Sequence, residues 1–207
     1  MTDPSLARIK GAHDLSGDLD NLTEYYRDWA NAYDADVTDE GYVAPNFLVD
    51  CLHQVAKNDN VALELTKPGV EVMDVGCGTG LVGAVLKERG VKPIDGFDLS
   101  TEMVDRAREL GVYRELWGDQ PLAGAFERVG GRKWDVTLAC GVFTLGHVPP
   151  QELSEMFRLT KPGGLAVVTT RRSYADATDF VDEVERVQAR GEAELVDRVL
   201  DGPYIKE

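Results

Sequence analysis

The alternation of apolar runs with helical patterns predicts a series of strands connected by helices. The first strand is the near-continuous apolar run "VEVMDV" at residues 70–75, which is typical of a strand buried on both faces. In "TGLVGAVLKERG" the apolar residues then share one helical face, and Gly90 is expected to end the helix. The second strand, in "KPIDGFDLS", ends at Asp98, and Ser100 is expected to cap the next helix. The inward face of that helix comprises Met103, Val104, Ala107 and Leu110.

Three further strands follow in the predicted order. They lie in "VYRELWGD", "KWDVTLACG" and "GLAVVTTR", and a helix at about residues 150–159 precedes the last of them. Strands that alternate with helices indicate an α/β, Rossmann-like fold with a mostly parallel sheet and helices on both faces. In such sheets ligands bind beyond the carboxyl ends of the strands.

Two helical patterns precede the first strand. Residues 21–33 and 45–56 each place apolar side chains at spacings of three and four. We therefore expect a helical N-terminal extension at residues 1–66, on the lid or substrate side of the protein. Residues 67–207 are expected to form the core that carries the ligand site.

Charge and composition limit the partners. The chain has 37 acidic and 22 basic residues and a formal net charge of -15, which repels phosphate backbones and anionic lipids. Nucleic acids and membranes are therefore not expected partners. The sequence has no apolar run near the ~20 residues of a membrane span, and its N-terminus has no signal-peptide pattern. Three dispersed cysteines without metal-ligand spacing predict a reducing cytoplasmic location and no metal site.

The turn after the first strand, in "MDVGCGTGLVGAVL", carries the most specific chemistry. A dinucleotide fingerprint needs glycine where this chain has Leu81, and a phosphate loop needs a Gly-Lys-Ser/Thr that is absent. The glycines at 76, 78 and 80 still let backbone amides approach a ligand closely. Asp74 favours a cation, and Asp98 can accept both hydroxyls of a ribose. Together these residues favour a cofactor that contains adenosine.

The ordered motifs resemble those of class I S-adenosylmethionine-dependent methyltransferases. "VMDVGCGTG", "GFDLS", "WDVTLACGVF" and "LTKPGGLAVVTT" follow one another in that family's order, between about residues 70 and 171. "YYRDWANAYDADV", "GVYRELWGD" and "FTLGHVPPQEL" are similar to the Williams-Beuren-region methyltransferase-like group and related small-molecule methyltransferases. The resemblance implies in-line transfer of a methyl group from S-adenosylmethionine to a small-molecule acceptor, leaving S-adenosylhomocysteine.

The resemblance also implies where the cofactor lies. The residues implied to hold it are Asp74, Gly76, Cys77 and Gly78 against the methionine part, Asp98 at the ribose, Leu99, Met103, Asp119 and Gln120 around the adenine, and Cys140 and Gly141 beside the sulfonium. In many relatives an N-terminal aromatic residue closes over the cofactor, and Tyr25, Tyr26 and Tyr33 are the candidates here. The alternative is that these aromatic residues belong to a packed helix face.

The acceptor side carries fewer signals. His147 is the candidate catalytic base for an oxygen acceptor, because an ordinary histidine pKa near 6.5 suits proton removal at neutral pH. The alternative is a loop residue that contacts backbone. The residues expected to bind the acceptor are Phe143, Arg171, Arg172 and Tyr174. The two arginines could receive a carboxylate or phosphate, or could pair with surface acids instead.

The end of the sheet departs from the family pattern. We expect "AELVDRVLDGPYI" to form a sixth strand, while the last, antiparallel strand of the family is missing. A neighbouring chain could complete this edge in a homodimer. Two other functions stay open: a protein that keeps the cofactor pocket for non-methylating or structural use, and a dinucleotide oxidoreductase, which the glycine spacing disfavours. The sequence does not distinguish oxygen from nitrogen acceptors.

Overall fold

The strands form one parallel sheet in a computed structural model that describes residues 21, 24, 25, 27, 41–58, 61 and 63–203. They are β1 (Val72–Val75), β2 (Ile94–Phe97), β3 (Glu115–Trp117), β4 (Trp134–Phe143) and β5 (Thr160–Thr170). Their order across the sheet is β3-β2-β1-β4-β5, and every pair is parallel. The predicted α/β fold is confirmed, and the strand order reverses between β1 and β4.

Helices connect the strands and are numbered here from the first one whose bounds are described. They are α1 (Ala44–Ala56), α2 (Leu81–Glu88), α3 (Thr101–Glu109), α4 (Ala125–Arg128), α5 (Leu153–Leu159), α6 (Arg172–Ala177) and α7 (Phe180–Ala189), with a 3-10 turn at Pro150–Glu152. Ser100 caps α3 as predicted, because its hydroxyl accepts the N–H of Met103 at 3.2 Å. Leu110 was predicted to face inward, but α3 ends before it and 43% of Leu110 is exposed.

The hydrophobic core has two layers, because successive strand residues point to opposite faces of the sheet. In one layer α1 contributes Leu48 and Leu52, which pack with Val136 of β4. The other layer joins Met73 of β1 to Met156 of α5. The described part of the predicted N-terminal extension, α1, thus packs directly on the sheet, and the predicted division at residue 66 stays a prediction.

The C-terminal segment corrects one expectation. Residues 193–203 form no strand, so the predicted sixth strand is wrong. The segment instead returns irregularly from α7 to α1, where Gly202 lies against the ring of Phe47. Its large apolar side chains are 44% to 66% exposed. They come in adjacent pairs, Leu195-Val196 and Val199-Leu200, so no single strand face could bury them.

A buried carboxylate, that of Asp95, connects three strands near their amino-terminal ends. Asp95 of β2 has no exposed surface and accepts hydrogen bonds from the guanidinium groups of Arg114 and Arg132. It also accepts the indole N–H of Trp134 at 2.7 Å and the backbone N–H of Glu115 at 3.1 Å. A buried charge is tolerated when it is paired and hydrogen-bonded in this way. Asp95 therefore links β2, β3 and β4 on the half of the sheet away from the glycine turn.

Replacing Asp95 with alanine is expected to lower the free energy of unfolding by about 3 kcal/mol, because two guanidinium groups and a buried indole lose their shared acceptor. Asp105→Ala is the matched control, since Asp105 pairs with Arg108 on the exposed surface of α3 and should matter much less. Urea unfolding followed by circular dichroism measures both changes. A loss below about 1 kcal/mol for Asp95→Ala would contradict this role.

Candidate functional site

The glycine turn joins β1 to α2 at the carboxyl edge of the sheet. Gly76, Gly78 and Gly80 have positive φ angles of 63°, 54° and 95°. A Cβ on Gly76 would lie 2.4 Å from Cγ2 of Val142, whereas one on Gly78 would meet no atom within 4 Å. Glycine at 76 therefore lets the turn pack against β4. Glycine at 78 leaves the backbone of the turn open on the ligand side.

Asp98 follows β2 and bridges the glycine turn to the start of α3. Its Oδ2 accepts the N–H of Gly78 at 2.8 Å, and its Oδ1 accepts that of Ser100 at 2.9 Å. Burial raises the pKa of Asp98, while these backbone N–H groups act to lower it. A carboxylate has about four lone-pair positions, so both oxygens can still accept from a ligand. Ribose binding by Asp98 stays a prediction, and this geometry is compatible with it.

Asp74 lies beneath the same turn and is 1% exposed. Its Oδ2 accepts a hydrogen bond of 2.7 Å from the hydroxyl of Tyr113. Burial raises the pKa of Asp74 to about 7; the charge of Asp98 also raises it, while the bonds from Tyr113 and the Gly83 backbone lower it. The structure thus shows Asp74 joined to Tyr113 and to the backbone of α2, and its contact with the cofactor stays a prediction.

Two residues predicted around the adenine, Leu99 and Met103, follow Asp98 in the chain. Met103 is buried and Leu99 is half-buried. The side chain of Cys77 packs with Val104 and Ala107. Cys77 can therefore contact a ligand only through its backbone. Burial raises the pKa of the Cys77 thiol, which keeps that thiol neutral.

Gln120 and Asp119 follow β3 and differ in burial and in hydrogen bonding. The N–H of Gln120 donates to the carbonyl of Asp98 at 3.0 Å, which places the two residues side by side. Gln120 is 2% exposed, its Nε2 donates to a backbone carbonyl, and its Oε1 has no hydrogen-bond partner among the described residues. The side chain of Asp119 is 83% exposed and pairs with Arg128 at 3.6 Å. Of the two, Gln120 presents the acceptor that an exocyclic amine requires.

Strand β4 leaves its regular pairing at the ligand edge. Ala139 pairs with Val168 and Phe143 with Thr170, so β4 has extra residues between these two pairs. The extra residues include Cys140 and Gly141, and Gly141 has a φ of 72°. A bulge of this kind frees backbone groups from the ladder. The residues predicted to lie beside the sulfonium therefore belong to an interruption of the sheet.

Tyr42, which sequence reasoning missed, contacts this bulge. Its hydroxyl lies 3.5 Å from Sγ of Cys140, and a Cβ on Gly141 would lie 3.6 Å from the same hydroxyl. Burial raises the pKa of Cys140 to about 11. Of the predicted aromatic residues, Tyr25 is helical and half-buried, while Tyr26 and Tyr33 lie outside the described residues. The available signal was the position of Tyr42 immediately before the second helical pattern.

His147 lies in the turn that follows β4. The backbone N–H of His147 donates to the carbonyl of Thr144 at 3.1 Å, and the ring atom Nδ1 lies 2.9 Å from the carbonyl oxygen of Leu145. Because a carbonyl oxygen only accepts, Nδ1 carries the proton of the neutral ring and Nε2 carries the lone pair. Burial lowers the pKa of His147, which keeps the ring neutral at pH 7.

The structure separates the four residues predicted to bind the acceptor. Phe143 and Tyr174 are 0% and 2% exposed and belong to one core layer, and the Tyr174 hydroxyl donates to a backbone carbonyl at 2.6 Å. These two residues pack the core, which corrects the expectation that they face the acceptor. Arg172 is exposed and pairs with Asp201, and Arg171 is half-buried just before α6. Only the arginines lie on an accessible edge.

Two kinds of feature are absent from the described part of the chain. None of its helices has the length and apolar character required to cross a membrane. Its His, Cys, Asp and Glu side chains form no group of three or more that could hold a metal ion.

Comparisons with known proteins match this architecture. A family model described as a methyltransferase domain matches residues 47–198. Methyltransferase-like protein 27 of Homo sapiens is 37% identical over 82% of this chain and 65% of that protein. A malonyl-[acyl-carrier protein] O-methyltransferase of Serratia marcescens is 31% identical over 59% of this chain and 48% of that protein. The chain thus spans from about half to just under two thirds of the length of these curated relatives.

A solved structure, the DhpI-SAM-HEP complex, has the same fold. It aligns with a TM-score of 0.52 at 22% identity, over 91% of this chain and 80% of that chain. At this level of identity the likeness concerns the arrangement of strands and helices.

Gly76→Ala is expected to lower the free energy of unfolding by about 2–4 kcal/mol, because its methyl group would clash with Val142 and its φ is strained for alanine. Gly163→Ala is the control: its φ is 78° but a Cβ would meet no atom within 4 Å, so only backbone strain of about 1 kcal/mol is expected. When Gly76→Ala is combined with Val142→Ala, the further loss relative to Val142→Ala alone should be smaller, because the clashing methyl group is gone. Chemical denaturation measures these variants, and equal losses at 76 and 163 would contradict the close packing.

Proposed function

Because the chain belongs to the methyltransferase domain family, we propose that it transfers the methyl group of S-adenosylmethionine to a small-molecule acceptor and releases S-adenosylhomocysteine. The observation that carries this proposal is the joint geometry of the glycine turn and Asp98. The carboxylate accepts the N–H of Gly78 at 2.8 Å, and the turn is open at Gly78. Backbone groups of the turn and a carboxylate suited to accept ribose hydroxyls therefore meet at one edge of a parallel sheet.

The chain's own residues supply contacts for each part of the cofactor. Asp98 would accept hydrogen bonds from the ribose hydroxyls. Gln120 Oε1 would accept one from the exocyclic amine of adenine, which would give this buried oxygen the hydrogen-bond partner that it lacks among the described residues. The backbone of the glycine turn would hold the methionine part. When bound, S-adenosylmethionine supplies an electrophilic methyl group on a sulfonium.

The bulge in β4 suits the positive end of such a cofactor. The pairing of β4 with β5 is interrupted at Cys140 and Gly141, where backbone carbonyls would offer partial negative charge, and the hydroxyl of Tyr42 lies beside the Cys140 sulfur. The neutral thiol of Cys140 adds no charge of its own. We propose that Tyr42 covers the cofactor, a role for which Tyr25, Tyr26 and Tyr33 stay predictions.

A small-molecule acceptor, with either oxygen or nitrogen as the methylated atom, fits the remaining features. The net charge of -15 opposes a nucleic-acid substrate. Holding the acceptor within attacking distance of the methyl group supplies most of the catalysis. For an oxygen acceptor, Nε2 of His147 would take the proton. The three free thiols of the described structure suit a reducing compartment, and we propose the cytoplasm.

Asp98→Ala is expected to weaken S-adenosylmethionine binding about tenfold or more, because the variant loses the ribose acceptor and releases the N–H of Gly78. Asp105→Ala, on the exposed side of the adjacent helix α3, should bind normally. Isothermal titration calorimetry with S-adenosylmethionine, S-adenosylhomocysteine and NAD measures both variants. Normal binding by Asp98→Ala would refute the ribose assignment, and binding of NAD alone would refute the proposed function.

The ring of His147 is expected to titrate below pH 6.5, because burial disfavours its charged form. It is then a neutral base at pH 7, and a base-dependent methyl transfer should slow only as the pH falls through this lowered pKa. Nuclear magnetic resonance of the three histidine rings measures the titration, with His147→Gln identifying the signal. A pKa at or above the ordinary value would contradict the assignment.

A further inference from the structure

Tyr113 is a polar residue beneath the glycine turn to which the proposed reaction gives no role. Its ring lies in a slot formed where three glycines lack side chains. A Cβ on Gly80, Gly83 or Gly96 would lie 3.1, 2.4 or 3.0 Å from atoms of this ring. These glycines belong to the turn, to α2 and to β2, so three elements hold the ring in one place. The fixed ring directs its hydroxyl to Oδ2 of Asp74 at 2.7 Å.

The surroundings of Asp74 contain no described cation. The titratable groups that act on it are the hydroxyl of Tyr113 and the carboxylate of Asp98 after β2. Asp74 in turn raises the pKa of two nearby thiols, Cys77 in the turn and Cys140 in β4. The backbone N–H of Gly83 adds a neutral donor. Asp74 is therefore a buried carboxyl group with two neutral donors and a second carboxylate nearby. A positive charge brought to this edge would change the balance between its two protonation states.

We propose that Tyr113 is a positioning residue that holds Asp74 ready to become the ionised partner of the cationic methyl donor, so that donor binding releases a proton that product binding does not. The inference rests on the proposed function. Donor and product differ in one charge, because the sulfonium becomes a neutral thioether when the methyl group leaves its bonding electrons on sulfur. When the donor binds, the Asp74 proton goes to solvent; after transfer the carboxylate takes a proton back.

The sign of the pH dependence follows from the burial of Asp74. Burial raises the pKa of Asp74 to about 7, so the unliganded carboxyl group is largely protonated below that pH. Donor binding must then displace the proton, and donor affinity is expected to fall by up to about tenfold for each pH unit below the midpoint. Above the midpoint donor affinity should be flat. The neutral-sulfur product should show a shallower dependence throughout.

Calorimetry of the full chain with S-adenosylmethionine and with S-adenosylhomocysteine tests this, from about pH 5.5 to about pH 8.5 in buffers of different ionisation enthalpy. We expect proton release with the donor and less with the product. Tyr113→Phe keeps the ring in its slot but removes the donor that favours the ionised form, so the donor profile should shift to higher pH. Tyr174→Phe is the matched control, because its hydroxyl donates to the backbone carbonyl of Val148 at 2.6 Å and not to a carboxylate.

The outcomes separate this inference from the proposed function. Binding of neither ligand at any pH would overturn the proposed function. Binding of both with the same pH dependence and proton release would overturn only the inference, and an unshifted profile in Tyr113→Phe would remove the role of Tyr113. Asp74→Asn, which keeps the shape of the side chain, should abolish the difference in pH dependence between donor and product; persistence of that difference would also refute the inference.

Discussion

Two carboxylates at the ends of adjacent strands, the buried Asp74 and the half-buried Asp98, govern the ligand side of this protein. Asp74 lies in β1 and Asp98 directly follows β2, and each must find donors because an unpaired buried charge is costly. Asp98 takes its donors from the backbone at Gly78 and Ser100, which fixes the glycine turn relative to α3. Asp74 takes a hydroxyl from Tyr113, which fits only because three neighbouring positions are glycine. Gly80, Gly83 and Gly96 therefore make room for the Tyr113 ring below the turn, whereas Gly78 leaves the turn open to a ligand.

The carboxylates at the two edges of the sheet take their hydrogen bonds from different kinds of donor. Asp95, near the start of β2, is surrounded by arginine side chains and an indole N–H, so its charge is neutralised inside the protein. Asp74 and Asp98 meet hydroxyl and backbone donors only, which stabilise the negative charge without cancelling it. The structural network lies at one end of β2 and the incompletely neutralised pair at the other. A cationic ligand would therefore be attracted to the carboxyl edge and not to the amino edge.

Much of this arrangement could be predicted from local patterns in the sequence. The strands, the Ser100 cap and the position of Asp98 depend on residues close together in the chain, where periodicity and spacing carry information. Tyr42 and Tyr113 could not be found in that way, because their partners Cys140 and Asp74 are distant in sequence and near only in the fold. A signal for Tyr113 did exist: Gly83 and Gly96 lie inside a helix and a strand, where glycine has no turn to make and is a sign of a close neighbour. The predicted sixth strand failed because apolar content was weighed without strict alternation.

The order of the strands explains why the donor is easier to identify than the acceptor. The strand order reverses between β1 and β4, and most contacts expected for the donor come from β1, β2 and β3, with Cys140 and Gly141 of β4 on the other side of that point. Those contacts rely on backbone geometry and carboxylates, which impose glycine and aspartate at set spacings. We propose that the acceptor region begins on the other side, at the bulge in β4 and the turn at His147, where side chains on loops would define its shape. The proposed in-line transfer requires donor and acceptor on opposite sides of the methyl group, and the bulge at Cys140 and Gly141 is the position where the two proposed regions would meet.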